Sequence, residues 1–329
     1  MSNNKQPFLY AAIFSVVLVG ALTFCLCDTF LIPKVYGHLD DSSSSENNSS
    51  SENSSEEIPS STSSEDPNWP DVPVLTSNSY KSNKVRINIE TIKVPSTTTS
   101  GKTTTTYIAD IELKSLDNLA TTFAVDSYGN FGKNIVQKTS EILSDHNGIL
   151  GINGDYCWYR DYGIVVRGGR VYRNSARTES KVEDLVIYND GTFATVNEKT
   201  SDAYTLVSNG ARDVFSFGPG LVKNNEVAVT VDEEVLSQSK ASNPRTAIGF
   251  ISPLHYVFVV SDGRTSISTG LSLYELANVL KSKGVVEGFN LDGGGSSTMV
   301  FDGTVVNKPT NDGRTIVERS ISDIIYVKD

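Results

Sequence analysis

"NLDGGGSSTMV", residues Asn290–Val300, links an apolar stretch that ends at Phe289 to a second hydrophobic run. An aspartate, three glycines and two serines separate two segments that have the composition of strands. Glycine tolerates positive φ and lets a ligand approach the backbone without a Cβ in the way. One glycine would be enough for a sharp turn. Three in a row, followed by two hydroxyls, favour a loop at which a ligand docks.

The residues around this loop predict a strand-rich domain with a few helices. Alternating segments such as "VRINIETI" and "TYIADIEL" predict strands, and Gly168-Gly169 and Asp190-Gly191 predict hairpin turns. A helix is expected over residues 134–146, and a second begins at Ser272, which forms a capping box with Glu275 and is stopped by Gly284. We therefore expect an α+β fold with a mixed, twisted β-sheet and interspersed helices, as one domain over residues 80–329.

An uncharged stretch of twenty residues, Phe8–Cys27, follows a short tail at residues 1–7. At a rise of about 1.5 Å per residue it would span about 30 Å as a helix, the thickness of a bilayer's hydrocarbon core. It is long for a signal peptide, and no small-residue cleavage site follows it directly. The sequence predicts a transmembrane anchor with its amino terminus inside the cell and the domain outside.

Residues 28–79 are predicted to form a spacer between anchor and domain. Asp40–Asp66 is almost entirely Ser, Asn, Asp and Glu, with eight acidic residues and no basic one. Such a composition cannot bury enough apolar surface to offset the entropy of ordering, so we expect a disordered stalk, followed by a proline-rich linker at Pro67–Pro73.

Charge and cysteine content exclude several classes of function. The formal charge is −11, and the chain has no basic stripe, so nucleic acid is not expected as a partner. Cys25 and Cys27 belong to the apolar stretch, which leaves Cys157 alone in the domain and gives neither a disulfide framework nor a zinc pattern. The three histidines are too scattered for a histidine-rich metal site.

Three polar motifs lie at the ends of predicted strands. In "GINGDYCWYRDYG", Asn153, Gly154 and Asp155 adjoin aromatic residues, a combination that could hold a sugar ring; a hairpin turn beside core aromatics would explain it equally. In "NPRTAIGF", Arg245 and Thr246 begin a strand. A guanidinium at a strand edge suits phosphate or carboxylate, although it could be a surface ion-pair partner. The third motif, "VVSDGR", places Asp262, Gly263 and Arg264 after an apolar strand.

The glycine loop is the fourth motif. Successive backbone N–H groups at Gly293, Gly294 and Gly295, with the hydroxyls of Ser296 and Ser297, could form an anion-binding nest. Asp292 precedes them at the end of a strand, where it could act as a base, a nucleophile or a cation ligand.

The order of these motifs, N-G-D-Y, R-T-A-I-G, S-D-G-R and L-D-G-G-G-S-S-T, closed by "RSISDIIYV", strongly resembles the phosphodiester glycosidase family. The resemblance covers about Tyr107 to Val327 and excludes the apolar stretch and the stalk. It implies a hydrolase that cleaves the glycosidic bond of a sugar-1-phosphodiester. With the predicted anchor, we expect it to act outside the cell on an N-acetylhexosamine-1-phosphate linkage in a cell-wall or capsular glycan.

The residues fit this chemistry. We expect Asp292 to attack C1 or activate water, with Asp155 and Asp262 as alternates. Arg245 and Arg264 would bind the phosphate, the loop Gly293–Ser297 would donate hydrogen bonds to it, and Asn153 would orient a sugar hydroxyl.

Two alternatives remain at this stage. The three aspartates could share Ca²⁺ through oxygen ligands, although no cofactor is required by the expected chemistry. The domain could also be a non-catalytic surface module that binds phosphate-containing polysaccharide, for which the arginines and aromatics would suffice without Asp292.

Overall fold

The computed structural model describes residues 68–97, 99–131, 135–179, 181–231 and 242–329. The predicted anchor at residues 8–27 lies outside these ranges, as does most of the predicted stalk. Within them, no helix is both long and apolar enough to cross a lipid bilayer. The described residues belong to one compact unit.

The strands, numbered along the described chain, have the following bounds: β1 Val74–Leu75, β2 Ser79–Lys81, β3 Val85–Pro95, β4 Thr103–Leu113, β5 Leu119–Phe123, β6 Leu150–Asn153, β7 Val165–Arg167, β8 Arg170–Arg173, β9 Glu183–Tyr188, β10 Phe193–Asn197, β11 Ala211–Phe215, β12 Gly220–Lys223, β13 Glu226–Val227, β14 Arg245–Ser252, β15 His255–Ser261, β16 Glu287–Asn290, β17 Met299–Phe301, β18 Thr304–Val305 and β19 Asp323–Val327. Three α-helices accompany them: α1 Thr139–Asp145, α2 Ala203–Ser208 and α3 Leu273–Ser282. The expected domain boundary at residue 80 falls inside β2, and β1 precedes it.

The strands form three sheets. The largest has the order β1-β2-β3-β4-β15-β14-β16-β12-β13, and the two five-stranded sheets have the orders β10-β9-β11-β7-β8 and β18-β17-β6-β19-β5. The main hydrophobic core lies where the three sheets meet and takes side chains from each, among them Phe258, Phe215 and Ile152. The described part of the chain therefore confirms a strand-rich α+β fold.

The expectation that the sheet is mixed is not met by the described strands. The strand pairs recorded in the described ranges are antiparallel. The sequence β15-α3-β16 has the strand-helix-strand order of a parallel crossover unit. However, β14 lies between β15 and β16 and pairs antiparallel with both, so the two crossover strands are not neighbours.

Helix α3 explains why β15 is apolar along its whole length. The helix packs against one face of the large sheet, where it covers Val257 and Val259. Phe258 and Val260 point to the opposite face and enter the main core. A strand buried on both faces needs apolar side chains in both directions, which accounts for the run "HYVFVVS".

The local signals for turns and helix ends are largely confirmed. Ser272 caps α3 through a capping box with Glu275, and the Gly168-Gly169 and Asp190-Gly191 turns join paired strands. The first helix is shorter than expected and begins at Thr139. Gln137 instead exchanges backbone hydrogen bonds with Ile321, which holds Gln137 out of the helix.

Candidate active site

Antiparallel pairing brings three of the predicted motifs to one edge of the large sheet. Arg245, the first residue of β14, lies opposite Ser261, the last residue of β15. Asn290, the last residue of β16, lies opposite Ala247 near the start of β14. The residues that follow β15 and β16 therefore meet the start of β14. This arrangement gathers Arg245, the Asp262 motif and the glycine loop.

The fourth motif arrives from a second sheet. Asn153 ends β6 and pairs with Ile324 at the start of β19, while Met299 at the start of β17 pairs with Ile152. The glycine loop leaves the large sheet after β16 and enters this second sheet at β17. It is therefore the segment that joins the two sheet edges and brings all four motifs to one place.

Asn153 connects these segments through its amide. Its Nδ2 donates to the backbone oxygen of Asp292 at 2.7 Å. Its Oδ1 accepts from Thr246 Oγ1 at 2.8 Å and from the backbone N–H of Thr298 at 3.2 Å. The side chain is buried, and the protein occupies both ends of the amide. Asn153 and Thr246 thus hold the loop in position, and the expected contact of Asn153 with a sugar hydroxyl is not what the geometry provides.

Asp292 is the carboxylate at the centre of the site. Its Oδ2 accepts a hydrogen bond from Ser296 Oγ at 2.5 Å and lies 3.3 Å from Nη2 of Arg319. The side chain is only 12% exposed. Burial raises the pKa of Asp292, whereas the Ser296 hydroxyl and the Arg319 charge act in the opposite direction. These two partners stabilise the ionised form of the carboxylate and offset part of the effect of burial.

Arg319 was not assigned a role from the sequence. It lies ahead of β19, and its Nε and Nη2 also contact Ser296 Oγ, at 3.0 and 2.5 Å. The signal for it was present, because "RSISDIIYV" begins with this arginine. An isolated arginine before a strand is nevertheless common on protein surfaces, and only the fold places it against Asp292.

Arg319 and Arg264 lie near Asp292, and Arg245 lies near Arg264 with its Nε donating to the backbone oxygen of Leu271 at 3.0 Å. Arg264 Nη1 donates to the backbone oxygen of Asn311 at 3.0 Å. Partial burial lowers the pKa of Arg264, and the neighbouring charge of Arg319 lowers it further. Burial lowers the pKa of Arg245 to about 10, and the nearby Arg264 adds to this effect. Guanidinium groups are cationic in proteins, so three arginines close to one aspartate offer an excess of positive charge to an anion.

The glycine loop packs against these arginines rather than forming an open nest. Gly294 has φ of +63°, and a Cβ there would lie 2.8 Å from Arg264 Nη2. The backbone N–H groups of Asp292, Gly294, Ser296 and Ser297 already donate to backbone oxygens, and that of Gly293 bonds the Asp292 carboxylate. Most of the expected N–H donors are therefore used within the protein. The phosphate contacts of Gly293–Ser297 therefore stay a prediction, for which few of these N–H groups are available.

Two further predicted loop residues are buried. Gly295 packs so closely against Asn311 that a Cβ would overlap its amide. The Ser297 hydroxyl is buried and has no hydrogen-bond partner among the described residues.

Asp155, the first alternate catalytic residue, belongs to a buried ionic cluster. Its carboxylate accepts from the backbone N–H groups of Cys157 at 2.8 Å and Ser216 at 3.1 Å, and lies 3.8 Å from Arg167. Arg167 pairs with Asp323 at 2.5 Å, and the backbone N–H of Gly154 donates to the Asp323 backbone oxygen. Burial opposes ionisation of Asp155, but Arg167 and Arg160 outweigh it and the pKa of Asp155 is lowered. This carboxylate is an internal counter-ion.

Asp262, the second alternate, is also engaged within the protein. Its Oδ1 accepts from the backbone N–H of Lys308 at 2.7 Å, and Tyr107 Oη lies 3.4 Å from Oδ2. Burial raises the pKa of Asp262. Gly263 beside it has no room for a side chain, since a Cβ would lie 2.5 Å from the Pro244 ring. The Asp-Gly pair thus fixes the neighbouring loops, and Arg264 alone of this motif faces Asp292.

The geometry does not support Ca²⁺ shared by Asp155, Asp262 and Asp292, because each carboxylate has separate protein partners. Two other groups of potential metal ligands occur among the described residues, Asp110-Glu112-His255 and Asp155-Cys157-Asp323. The second group encloses the Arg167 guanidinium, a fixed cation.

The aromatic residues of the first motif divide between core and surface. Trp158 is buried against Phe123, as the structural interpretation predicted. Tyr156 and Tyr159 stack with ring centroids 4.6 Å apart, and Tyr159 is 44% exposed. Burial raises the pKa of Tyr159, and the charges of Arg319 and Asp292 also act on it. The Tyr156–Tyr159 pair therefore borders the site.

Known proteins that are similar to this chain define its family. The family model for phosphodiester glycosidase matches residues 146–328, which include all four motifs and Arg319. The chain belongs to the phosphodiester glycosidase family. The resemblance expected from the motif order is therefore confirmed.

Relatives of this phosphodiester glycosidase family member are found in bacteria and animals. An SPbeta prophage-derived uncharacterized protein of Bacillus subtilis is 32% identical over 166 residues, 50% of this chain and 25% of that protein. The mouse N-acetylglucosamine-1-phosphodiester alpha-N-acetylglucosaminidase is 31% identical over 179 residues, 50% of this chain and 34% of that enzyme. The chain thus matches only a quarter to a third of the length of these relatives.

Solved structures share the family member's fold. The catalytic domain of the zebrafish N-acetylglucosamine-1-phosphodiester alpha-N-acetylglucosaminidase, auto-inhibited by its pro-peptide, superposes with a TM-score of 0.61. The match covers 77% of this chain and 85% of that one at 20% identity. A hypothetical protein from Synechocystis gives a TM-score of 0.50 at 13% identity over 75% of this chain and 62% of that one. At these identities the likeness concerns the fold alone.

Proposed function

We propose that this chain hydrolyses the glycosidic bond of a sugar-1-phosphodiester, with N-acetylhexosamine as the sugar. The observation that carries the proposal is a largely buried carboxylate, Asp292, held by Ser296 and Arg319, with Arg264 nearby and Arg245 next to Arg264. A carboxylate next to concentrated positive charge matches a substrate whose anomeric carbon carries a phosphate.

The chemistry needs little protonation of the leaving group. Cleavage breaks the bond between C1 and the phosphate oxygen, and water supplies the new hydroxyl at C1. The phosphomonoester that leaves has a second pKa of about 6, far below that of a sugar hydroxyl. Arginines that stabilise its charge can therefore take the place of a strong general acid.

Asp292 would attack C1 directly or activate the water molecule. Ser296 and Arg319 favour its ionised form, which either role requires. Asp155 is engaged by Arg167 and two backbone N–H groups, and Asp262 by Lys308 and Tyr107. This leaves Asp292 as the reactive carboxylate of the proposal, with Arg245, Arg264 and Arg319 as the binding groups for phosphate.

Replacing one carboxylate tests the proposal. The full-length chain is incubated with methyl phosphodiesters of N-acetylglucosamine and N-acetylgalactosamine in both anomeric forms, and released sugar is measured by mass. Asp292→Asn should lower release by about 10²–10⁴-fold. Asp302→Asn is the matched control, because Asp302 is exposed in a hairpin turn at positive φ, where asparagine is equally suitable. Full activity of Asp292→Asn would remove Asp292 from catalysis.

The second candidate function is a surface module that binds phosphate-containing polysaccharide. The arginines and the Tyr156–Tyr159 pair favour it as much as they favour catalysis. A binding module would release no sugar from any phosphodiester and would still bind the polymer after Asp292→Asn. Sugar release by the unaltered chain would exclude it as the sole function.

For the location, we propose that the chain is anchored in the cell membrane by residues 8–27 and acts outside the cell on a wall or capsular glycan. The uncharged stretch and the acidic, serine-rich stalk support this placement. Protease added to intact cells should remove the domain and leave a membrane-bound fragment. Protection of the domain until the cells are lysed would contradict it.

A further inference from the structure

A cavity of about 710 Å³ lies next to the candidate active site. Its walls come from the five-stranded sheet that contains β9 and from the large sheet around β12. They combine the aromatic side chains Tyr156, Tyr162 and Phe217 with charged side chains of both signs, among them Arg160, Lys181, Glu179 and the Lys223–Glu183 pair. Asp292, Arg245, Arg264 and Arg319 are not among the residues that line this cavity.

Three observations place the cavity near Asp292. Tyr156 in the cavity wall stacks on Tyr159, whose pKa responds to Asp292 and Arg319. Arg160 in the same wall lies 4.0 Å from Asp155 and acts on the pKa of Asp292. Asn290, two residues before Asp292, bonds the backbone oxygens of Gly218 and Pro219, which also line the cavity.

The size of the cavity exceeds what one sugar ring requires. Pockets of about 300–1,000 Å³ bury most of a drug-sized ligand, which has many more atoms than a monosaccharide. Aromatic faces with polar groups between them suit successive sugar rings, which present apolar faces and hydroxyl edges. Tyr162 is 52% exposed, so part of this aromatic surface is accessible to a ligand.

We infer that this cavity binds the glycan that precedes the scissile sugar, so that the substrate is an oligosaccharide-1-phosphodiester within a longer polymer. The inference rests on the proposed function for the position of the scissile bond. The arginines at Asp292 would take the phosphate, and the cavity would take at least one further sugar on the glycosyl side. The chain would then cleave internal linkages of a phosphate-linked glycan as well as terminal ones.

The test compares two substrates of different length with the full-length chain. They are the α-methyl phosphodiesters of N-acetylglucosamine-1-phosphate and of di-N-acetylchitobiose-1-phosphate. The disaccharide should be cleaved with a kcat/KM at least about tenfold higher, as expected when one more sugar ring is bound. Equal values for the two substrates would overturn the inference.

One variant ties the preference to the cavity. Tyr162→Ala should reduce the ratio of the two kcat/KM values to near one. The matched control is Tyr204→Ala, since Tyr204 is 66% exposed on α2 and does not line the cavity. It should keep the ratio of the unaltered chain, and a preference that survives Tyr162→Ala would contradict the assignment.

A binding measurement separates failure of this inference from failure of the proposed function. Di-N-acetylchitobiose without phosphate should bind the full-length chain, by calorimetry, more tightly than N-acetylglucosamine, and Tyr162→Ala should abolish the difference. This result needs no hydrolysis, so it would stand even if no phosphodiester is cleaved. Failure of the disaccharide to bind more tightly than the monosaccharide would overturn the inference whatever the outcome of the activity assay.

Discussion

Arg319 and Asp292 are 27 residues apart in the chain, and Nη2 of the arginine lies 3.3 Å from Oδ2 of the aspartate. Ser296 is placed between them, and its hydroxyl donates to Asp292 while it lies within hydrogen-bond distance of Arg319. The three side chains form one unit that favours the ionised carboxylate in a largely buried position. The candidate active site therefore depends on the contact of the glycine loop with the segment that precedes β19.

Arg319→Ala should lower kcat by about 10²-fold and shift the acid limb of the pH profile to higher pH. Arg319 opposes the burial that raises the pKa of Asp292, so its removal lets that pKa rise further. A base with a higher pKa is ionised only at higher pH. The profile of kcat/KM against pH measures the shift, and Arg319→Lys should restore part of it by returning the charge.

Arg314→Ala serves as the control for this variant, because Arg314 is exposed and lies five residues earlier in the same segment. Its pH profile should match that of the unaltered chain. An unshifted acid limb in Arg319→Ala would mean that Arg319 does not act on Asp292.

Ser296→Ala and Ser297→Ala should differ sharply although the two serines are adjacent. Ser296 donates a hydrogen bond to the Asp292 carboxylate, and such bonds to charged groups contribute about 1.5–3 kcal/mol. Its loss should lower kcat/KM by about 10–100-fold. The Ser297 hydroxyl is buried without a partner among the described residues, so its removal should leave activity close to that of the unaltered chain. Equal losses in the two variants would refute this distinction.

Gly263→Ala should lower the free energy of unfolding by about 1–3 kcal/mol, because the added methyl group meets the Pro244 ring at 2.5 Å. Pro244 directly precedes Arg245, so activity should fall with stability. Gly129→Ala is the control, since a Cβ there has nothing within 4 Å and φ is not positive. Chemical denaturation of both variants checks the prediction, which a fully stable Gly263→Ala would contradict.

Asp323→Asn should make stability less dependent on pH. Burial and the neighbouring Asp155 raise the pKa of Asp323 to about 8, whereas an unfolded aspartate has a pKa of about 3.9. The bound proton stabilises the fold fully below about pH 3.9, and this contribution is lost as pH rises toward the folded pKa of about 8. Asparagine does not titrate, so the free energy of unfolding should change less between pH 5 and pH 8 than it does in the unaltered chain.

Asp155→Asn provides the contrast. Asp155 is the ionised partner of Arg167, and its two carboxylate oxygens accept from two backbone N–H groups. Asparagine has only one side-chain oxygen, so Asp155→Asn would leave one of these N–H groups without its acceptor. Breaking a buried pair in this way should cost about 3–5 kcal/mol. Urea unfolding at both pH values measures both variants. Greater destabilisation by Asp323→Asn than by Asp155→Asn at pH 8 would reverse the assignment of charge within the cluster.

Local signals in the sequence predicted local features well. The capping box of Ser272 and Glu275, the hairpin at Asp190-Gly191 and the alternation along β3 depend on residues near in the chain, and the structure confirms them. The first helix was predicted too long because Gln137 pairs with the distant Ile321. No pattern within residues 134–146 could reveal that partner.

The predicted site residues show the same difference between local signals and distant contacts. Sequence order identified the segments, yet Asn153, Asp155 and Asp262 proved to be engaged within the protein, each by residues far away in the chain. A polar residue at a strand end looks alike whether it faces a ligand or a buried partner. The partners of each side chain separate the two cases, and those partners are known only in the folded chain.

By itself, the sequence determined the family, the α+β class and the segments that meet at the site, because motif order, periodicity and turn residues are properties of the chain. Only the tertiary structure decided that β14 separates β15 from β16, that Arg319 lies against Asp292 and that a cavity opens beside Tyr156. The physical reason is that these features depend on which distant surfaces pack together, and packing free energy is shared among many residues rather than recorded at any one of them.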